Sequence, residues 1–359
     1  MIGKSKGKSV FEYLAEECGG KLTVPTEADL YLFTVLSYAK IEHFLNVGEI
    51  SAKEFADRYE KVVGDGDNKN AERFVRLFGN AERYKDIVLF DFETTFDSAE
   101  EAQFAALSLR LPGGAIFVSF RGTDGSLVGW KEDFNLSYST EIPAERRALC
   151  YLDKAMDKRP TETFYVGGHS KGGILAMYAA SKIGKGKQDR IAYVMDCDCP
   201  GFNKSLLNDD GYNSVLTKIH SFIPKYDLVG LLFGKKQEIT VISSSGFLFY
   251  QHSPWTWCLS DGALCHLETF PSGEELSENA LNHIMETLTA EEIKFFVDTV
   301  YKLVSDDNKN LRVKDLAGVR HLKSVFTRYR NLPDADKKNL QSVAKTVFRC
   351  LVPNNPFGR

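Results

Sequence analysis

The sequence lacks most of what would mark a membrane, secreted or nucleic-acid-binding protein. No run approaches the roughly 18 uncharged apolar residues that cross a bilayer, and the basic, Gly/Ser-rich start at residues 1–8 leads into no apolar signal core. A cytoplasmic protein without a transmembrane segment is expected. Excess positive charge is missing too: 45 Lys and Arg against 49 Asp and Glu leave a net charge of −4, which gives nucleic acid no footing. Seven cysteines make an odd count, with no CxxC pair. Cys197 and Cys199 alternate along an apparent strand and, with Cys258, Cys265 or His266, outline a metal site; the plainer reading is reduced thiols in a packed interior. The polar loop at 64–68 imitates a calcium loop, but counting from Asp65 puts Asn70 where glycine is required and Arg76 where glutamate is. No metal is expected. Internal repeats, low-complexity tracts and a Pro- or Gly-rich linker are also missing, so the 359 residues read as one unit.

What is present is a large α/β pattern. Hydrophobic residues make up 43% of the chain, enough for a sizeable core. N-terminal helical patterns cover 10–18, 26–48 and a stretch opened by the Ser-x-x-Glu box of Ser51 and Glu54, within 10–63 overall. A core at about 86–270 follows, with strands expected at 86–95, 104–111, 115–120, 163–168, 191–196, 217–223, 238–244 and 246–252, and helices at 146–158 and 174–183. A helical extension at 277–352 closes the chain, with segments at 280–288, 290–304, 313–328 and 334–351 around a polar break at 305–310. Strands alternating with helices predict a mostly parallel central sheet with helices on both faces.

The chain is organised around Gly168-His169-Ser170-Lys171-Gly172. A β-prone run reaches it and an Ala-rich helical stretch leaves it, the context of a G-x-S-x-G nucleophile elbow. The serine sits on a strained turn where a Cβ two positions either side would strike strand or helix. The turn lifts Oγ clear of the sheet and sets the Lys171 amide at a helix N-terminus, facing a developing oxyanion. The competing reading is an ordinary strand-to-helix turn.

A serine hydroxyl needs an imidazole to take its proton and an acid to hold that imidazole. In α/β-hydrolases these follow the serine in the order acid, then His, at strand ends. Asp227 closes the 217–223 strand after Pro224; the alternative for it is a helix cap. Of seven histidines, His43 and His169 precede the serine, and His169, as its neighbour, should point away from Oγ. His220 lies inside a strand, and His283 and His321 lie in the helical tail. His252 and His266 remain. His252 opens an aromatic loop with Tyr250, Trp255 and Trp257 to wall a pocket, and His266 has less shelter, so His252 is the expected base.

Four segments together resemble the class 3 (fungal-type) lipases, and more closely a bacterial branch of lipase-like α/β-hydrolases. They are Phe120-Arg121-Gly122-Thr123 with Trp130 and Asp133; Gly168 to Gly173; Tyr226-Asp227-Leu228-Val229; and Tyr250-Gln251-His252. The resemblance implies an α/β-hydrolase fold, with Ser170 as nucleophile, Asp227 as acid, His252 as base, and Thr123 joining Lys171 in the oxyanion hole. Two departures stand out. Lys171 replaces the usual leucine after the serine, to meet an anionic substrate group, or else to snorkel to solvent or pair with a carboxylate. Residues 127–141 are too mixed for an amphipathic lid.

The expected function is hydrolysis of small-molecule or lipid carboxylic esters through an acyl-enzyme, with no cofactor. Two alternatives stay open: transfer of the acyl group to an alcohol or thiol by the same residues, and a non-catalytic binding scaffold. The sequence carries no signal for an oligomeric state.

Overall fold

The computed structural model describes residues 7–63, 68–136, 139–202, 204–225, 227, 229–231, 234–246, 248–268, 287–305 and 319–351. The polar loop at 64–68, save Asn68, lies outside these residues. So do most of the 280–288 helix with His283, the break at 306–310 and the start of the 313–328 helix.

Strands are β1 (Lys8–Ser9), β2 (Ile50–Ser51), β3 (Val88–Asp97), β4 (Ala102–Arg110), β5 (Ile116–Phe120), β6 (Phe164–His169), β7 (Ile191–Cys197), β8 (Ile219–Pro224), β9 (Ile239–Ile242), β10 (Cys258–Ser260) and β11 (Ala263–Leu264). Among the described residues, β2 to β9 form one sheet in sequential order, while β1, β10 and β11 form a small antiparallel one. β2 pairs antiparallel with β3, and β4 with β5; from β5 to β9 every neighbour is parallel. The carboxyl ends of β6 to β9 therefore share one edge, where an open α/β sheet places its site.

Helices cover both faces. Helix α1 spans Val10–Glu16, α2 Glu27–Leu36, α3 Ala52–Val63, α4 Lys69–Asn80, α5 Leu127–Asn135, α6 Pro143–Asp157 and α7 Lys171–Lys182. A Cβ on Gly167 would press on Thr34 of α2, and one on Gly168 on Gly172 of α7. Adjacent strand residues point to opposite faces, so α2 lies under one side of β6 and α7 over the other. Every residue of α2 from Ala28 to Leu36 is buried, as in a helix enclosed all round. The architecture is an α/β-hydrolase fold with a mostly parallel sheet and helices on both faces.

Local chemistry accounts for the helix starts. Ser9 and Thr26 form capping boxes with Glu12 and Asp29, and Ser51 Oγ accepts the Glu54 N–H. Buried Asp29 also accepts from Arg83 Nε (2.7 Å) and the Tyr84 hydroxyl (2.6 Å), which ties α2 to the turn before β3.

One element is unforeseen in the sequence and one expectation changes. Helix α4 follows directly on the polar loop, burying Ala71, Phe74, Val75 and Phe78 at helical spacing. The run at 246–252 is not a strand: Leu248–His252 is a 3₁₀ turn. A Cβ on Gly246 would sit 2.6 Å from the Tyr250 carbonyl oxygen, so the backbone doubles back where an extended chain was expected. A short apolar run does not distinguish the two by periodicity.

The chain divides into two compact units. One holds Met1–Thr95, Phe104–Gly122 and Ala144–Pro271; the other holds Phe96–Gln103, Thr123–Pro143 and Ser272–Arg359. In the second, buried Lys131 of α5 pairs with Glu101 and with Asp298 (3.0 Å) of the helix Ala290–Val304, and lies over the Tyr301 ring. Helices Val319–Arg330 and Asp334–Leu351 follow. No described helix is long and apolar enough to cross a membrane.

Candidate active site

Strand β6 ends at His169 and α7 begins at Lys171, so Ser170 alone makes the turn, at φ 56° and ψ −131°. A non-glycine residue there is strained. Two backbone bonds hold it: Ser170 N–H donates to the Cys197 carbonyl and Gly173 N–H to the Ser170 carbonyl, both at 2.9 Å. The flanking glycines are required by contact. A Cβ on Gly168 would lie 2.0 Å from the Gly172 carbonyl carbon and oxygen, and one on Gly172 would lie 2.3 Å from the Phe120 carbonyl oxygen. Both obstacles are backbone and have no rotamer to escape into. The positive end of α7 thus lies next to the serine.

The turn Leu248–His252, beyond β9, brings His252 Nε2 to 3.0 Å from Ser170 Oγ. On the other side of the ring, Nδ1–H donates to Asp227 Oδ2 at 2.9 Å. Asp227 follows β8 and is 1% exposed. Its Oδ1 accepts the Val229 N–H at 3.2 Å, so the capping contact and the imidazole contact coexist, one on each oxygen.

Sequence reasoning missed a second carboxylate on the same nitrogen. Asp198 Oδ2 lies 2.8 Å from His252 Nδ1, and Asp198 is fully buried, in the residue after β7. It takes positive φ (56°), and its N–H donates to the Phe222 carbonyl at 2.9 Å. The signal is an aspartate closing a parallel strand ahead of Pro200-Gly201, at the same edge as Ser170 and Asp227, between two cysteines that outline a competing metal-site pattern.

The electrostatics follow from burial and crowding. Burial, then the neighbouring Asp227 charge, push the Asp198 carboxyl well above the usual range. Burial also opposes charge on Asp227, but hydrogen bonds from Asp198 and His252 outweigh it and hold Asp227 below its ordinary value. For His252, burial lowers and the two carboxylates raise, and the result is pushed up to about 10.

A further histidine holds the turn that carries His252. His169 points away from Ser170 Oγ; its Nε2–H donates to the backbone carbonyl of His252 and its Nδ1 accepts from the Tyr38 hydroxyl, both at 2.7 Å. Those partners require the neutral ring protonated at Nε2. Burial, then the proximity of His252, push His169 well below 6.5 and keep it neutral.

The remaining sequence-derived residues are placed as follows. Lys171 is 1% exposed, which removes the reading in which its ammonium snorkels to solvent. Trp257 is wholly buried; it stacks on Tyr31 (5.0 Å between centroids) and donates to the Gln251 carbonyl at 3.0 Å. Trp255 is partly buried between Phe11 and Tyr38, and Tyr250 is 76% exposed on the turn that carries His252. Thr123, in the second unit, donates its hydroxyl to Asp133 Oδ2 at 2.5 Å. His266 pairs with Glu27 at 2.9 Å, and His220 stacks on Tyr193. Cys197, Cys199 and Cys258 are buried free thiols. Among the described residues, the cluster with metal-ligand geometry is Asp198, Asp227 and His252 rather than the cysteines.

Solved structures share parts of this architecture at low similarity. Lipase II from Rhizopus niveus is 16% identical over 60% of this chain and 79% of its own, with a TM-score of 0.38. The lipase of Rhizopus microsporus var. chinensis is 13% identical over 71% and 93%, with a TM-score of 0.39. The Lip2 lipase of Yarrowia lipolytica is 12% identical over 69% and 99%, with a TM-score of 0.37. At such scores the strand order itself, not the likeness, carries the fold. No curated protein matches in sequence. Residues 78–302, more than half of the 359, match the family described as Mbeg1-like, and Ser170, Asp198, Asp227 and His252 all fall inside that span: the chain belongs to the Mbeg1-like family.

Proposed function

We propose that the protein is a lipase-like serine hydrolase that cleaves carboxylic esters through an acyl-enzyme. One observation carries the reading: Ser170 Oγ lies 3.0 Å from His252 Nε2 while Asp227 accepts from Nδ1–H of the same ring at 2.9 Å. In this reading Ser170 Oγ attacks the ester carbonyl carbon as its proton passes to Nε2. Asp227 steadies the imidazolium, and the proton then leaves on the departing alcohol. Water, deprotonated by the same imidazole, releases the acid. The Lys171 amide at the start of α7 is the first oxyanion donor. Thr123, which the resemblance named as a second donor through its N–H and hydroxyl, has that hydroxyl engaged by Asp133. Such a donor is worth about 2.7–4 kcal/mol of transition-state stabilisation. Tyr250, exposed beside the base, is an aromatic available to a substrate.

A fluorophosphonate probe tests the assignment. The wild-type protein should be labelled covalently and Ser170→Ala should not. A folded wild-type sample that stays unlabelled, or a Ser170→Ala variant that labels equally, removes Ser170 as nucleophile.

A further inference from the structure

One carboxylate is enough to orient an imidazole, and here two converge on one nitrogen. Asp198 Oδ2 and Asp227 Oδ2 lie 2.8 and 2.9 Å from His252 Nδ1, and the two residues are 0% and 1% exposed. Asp198 gains little else from its place. Its Oδ1 is buried without a hydrogen-bond partner, against a loop so close that a Cβ on Gly230 would come within 2.4 Å of it. A buried, half-satisfied carboxylate lowers stability and calls for an explanation. What it does engage is the imidazole, through its other oxygen, and the Asp227 carboxyl beside it.

We propose that Asp198 is a positioning and charge-setting residue for His252: with Asp227 it forms a carboxylate pair that keeps a proton on the cluster in the resting protein and releases the free base only on the alkaline side of neutrality. The inference rests on the serine hydrolase reading for its effect on rate, but not for its effect on the imidazole. The electrostatic logic is direct. Each added carboxylate within about 4–6 Å stabilises the imidazolium and shifts its titration by about 1–3 pH units. The proton belongs to the cluster as a whole, because groups coupled this strongly titrate together. Among the described residues, the other titratable groups near it include His169, whose ring centroid lies 4.8 Å from that of His252 and which is held neutral, Cys197 and Cys199 on either side of Asp198, the buried Asp196–Lys235 pair (2.6 Å), and Lys171, buried next to Ser170. The neutral His169 and the self-neutralised pair leave the two carboxylates as the dominant field at Nδ1. The arrangement trades ground state against transition state. At neutral pH the cluster keeps its proton, shared between the imidazole and the Asp198 carboxyl; once free of it, the base gains the support of the carboxylate pair and is correspondingly stronger.

Two measurements on wild type and Asp198→Asn decide the matter. The first is the pH dependence of the fluorophosphonate labelling rate; the second is an NMR titration of the His252 ring, assigned by comparison with a His252→Gln variant. In the wild type both should have midpoints above about pH 8, and in Asp198→Asn both should fall by at least about one unit, toward the ordinary histidine value. Equal midpoints in the two proteins overturn the proposal. Should Asp198→Asn fail to fold, the wild-type ring decides alone, since a midpoint near 6.5 refutes the carboxylate pair. Absence of labelling at every pH would remove the hydrolase reading and leave the ring titration to judge Asp198.

Discussion

Replacing Tyr38 by Phe deletes a single oxygen, and the structure says where the effect goes. That hydroxyl donates to His169 Nδ1 at 2.7 Å, and the opposite nitrogen of the same ring donates to the backbone carbonyl of His252, also at 2.7 Å. His169 is 2% exposed, so in Tyr38→Phe its Nδ1 becomes a buried acceptor without this donor. Leaving a buried acceptor unsatisfied costs about 1–3 kcal/mol, more than the net worth of the bond. Titration with urea should register that loss as a lower midpoint at unchanged slope. The second consequence is positional. His169 tethers the turn at Ser170 to the turn that carries His252, and in the proposed mechanism misplacing that imidazole by about 1 Å costs up to 10²-fold in rate. Fluorophosphonate labelling of Tyr38→Phe should therefore slow by about tenfold at pH 9. A double-mutant cycle separates this from general damage. In a His169→Ala background Tyr38→Phe should lose most of its effect, giving a coupling energy of about 1 kcal/mol or more. Strict additivity of the two substitutions, or a Tyr38→Phe protein as stable and as fast as wild type, would refute the tether.

Two further predictions concern stability, alongside those for Ser170 and Asp198. Arg83→Met leaves Asp29 wholly buried with hydrogen bonds from Thr26 and Tyr84 but no cation; a loss of about 3 kcal/mol in urea unfolding is expected, and a loss under about 1 kcal/mol would show the pair to be dispensable. Folding should also weaken as pH rises from 7 to 9. The His252 value is raised in the folded state, to about 10, so its stabilisation is complete below the unfolded value near 6.5 and is lost on the way up, at about 1.4 kcal/mol per pH unit for each excess proton. Urea unfolding at pH 7, 8 and 9 checks this, and a flat or rising profile sinks it.

Much of this protein is written locally and was readable as such. The elbow is a strand, a turn and a helix within a dozen residues, and the glycines at 168 and 172 announce a backbone contact that any side chain would block. Caps such as Ser51 and Thr26 act over three residues, and the alternation of strands and helices from β5 to β9 sets a parallel sheet whose carboxyl edge must gather the loops. From that edge Asp227 could be picked out as a neighbour of Ser170, whereas His252, expected at a strand end, reaches Ser170 from a 3₁₀ turn.

What depended on the folded chain is the company these groups keep. Asp198 meets His252 across 54 residues of sequence, and Tyr38 meets His169 across 131; no periodicity or local motif encodes either contact. The aromatic run before His252 was β-prone by composition yet turns into a 3₁₀ segment, since packing around Trp257 and the doubling-back at Gly246 outweigh intrinsic preference. Local sequence determined where a serine would be lifted from the sheet. Only the tertiary structure, by burying two carboxylates against one imidazole where water cannot screen them, decided how tightly that imidazole holds its proton.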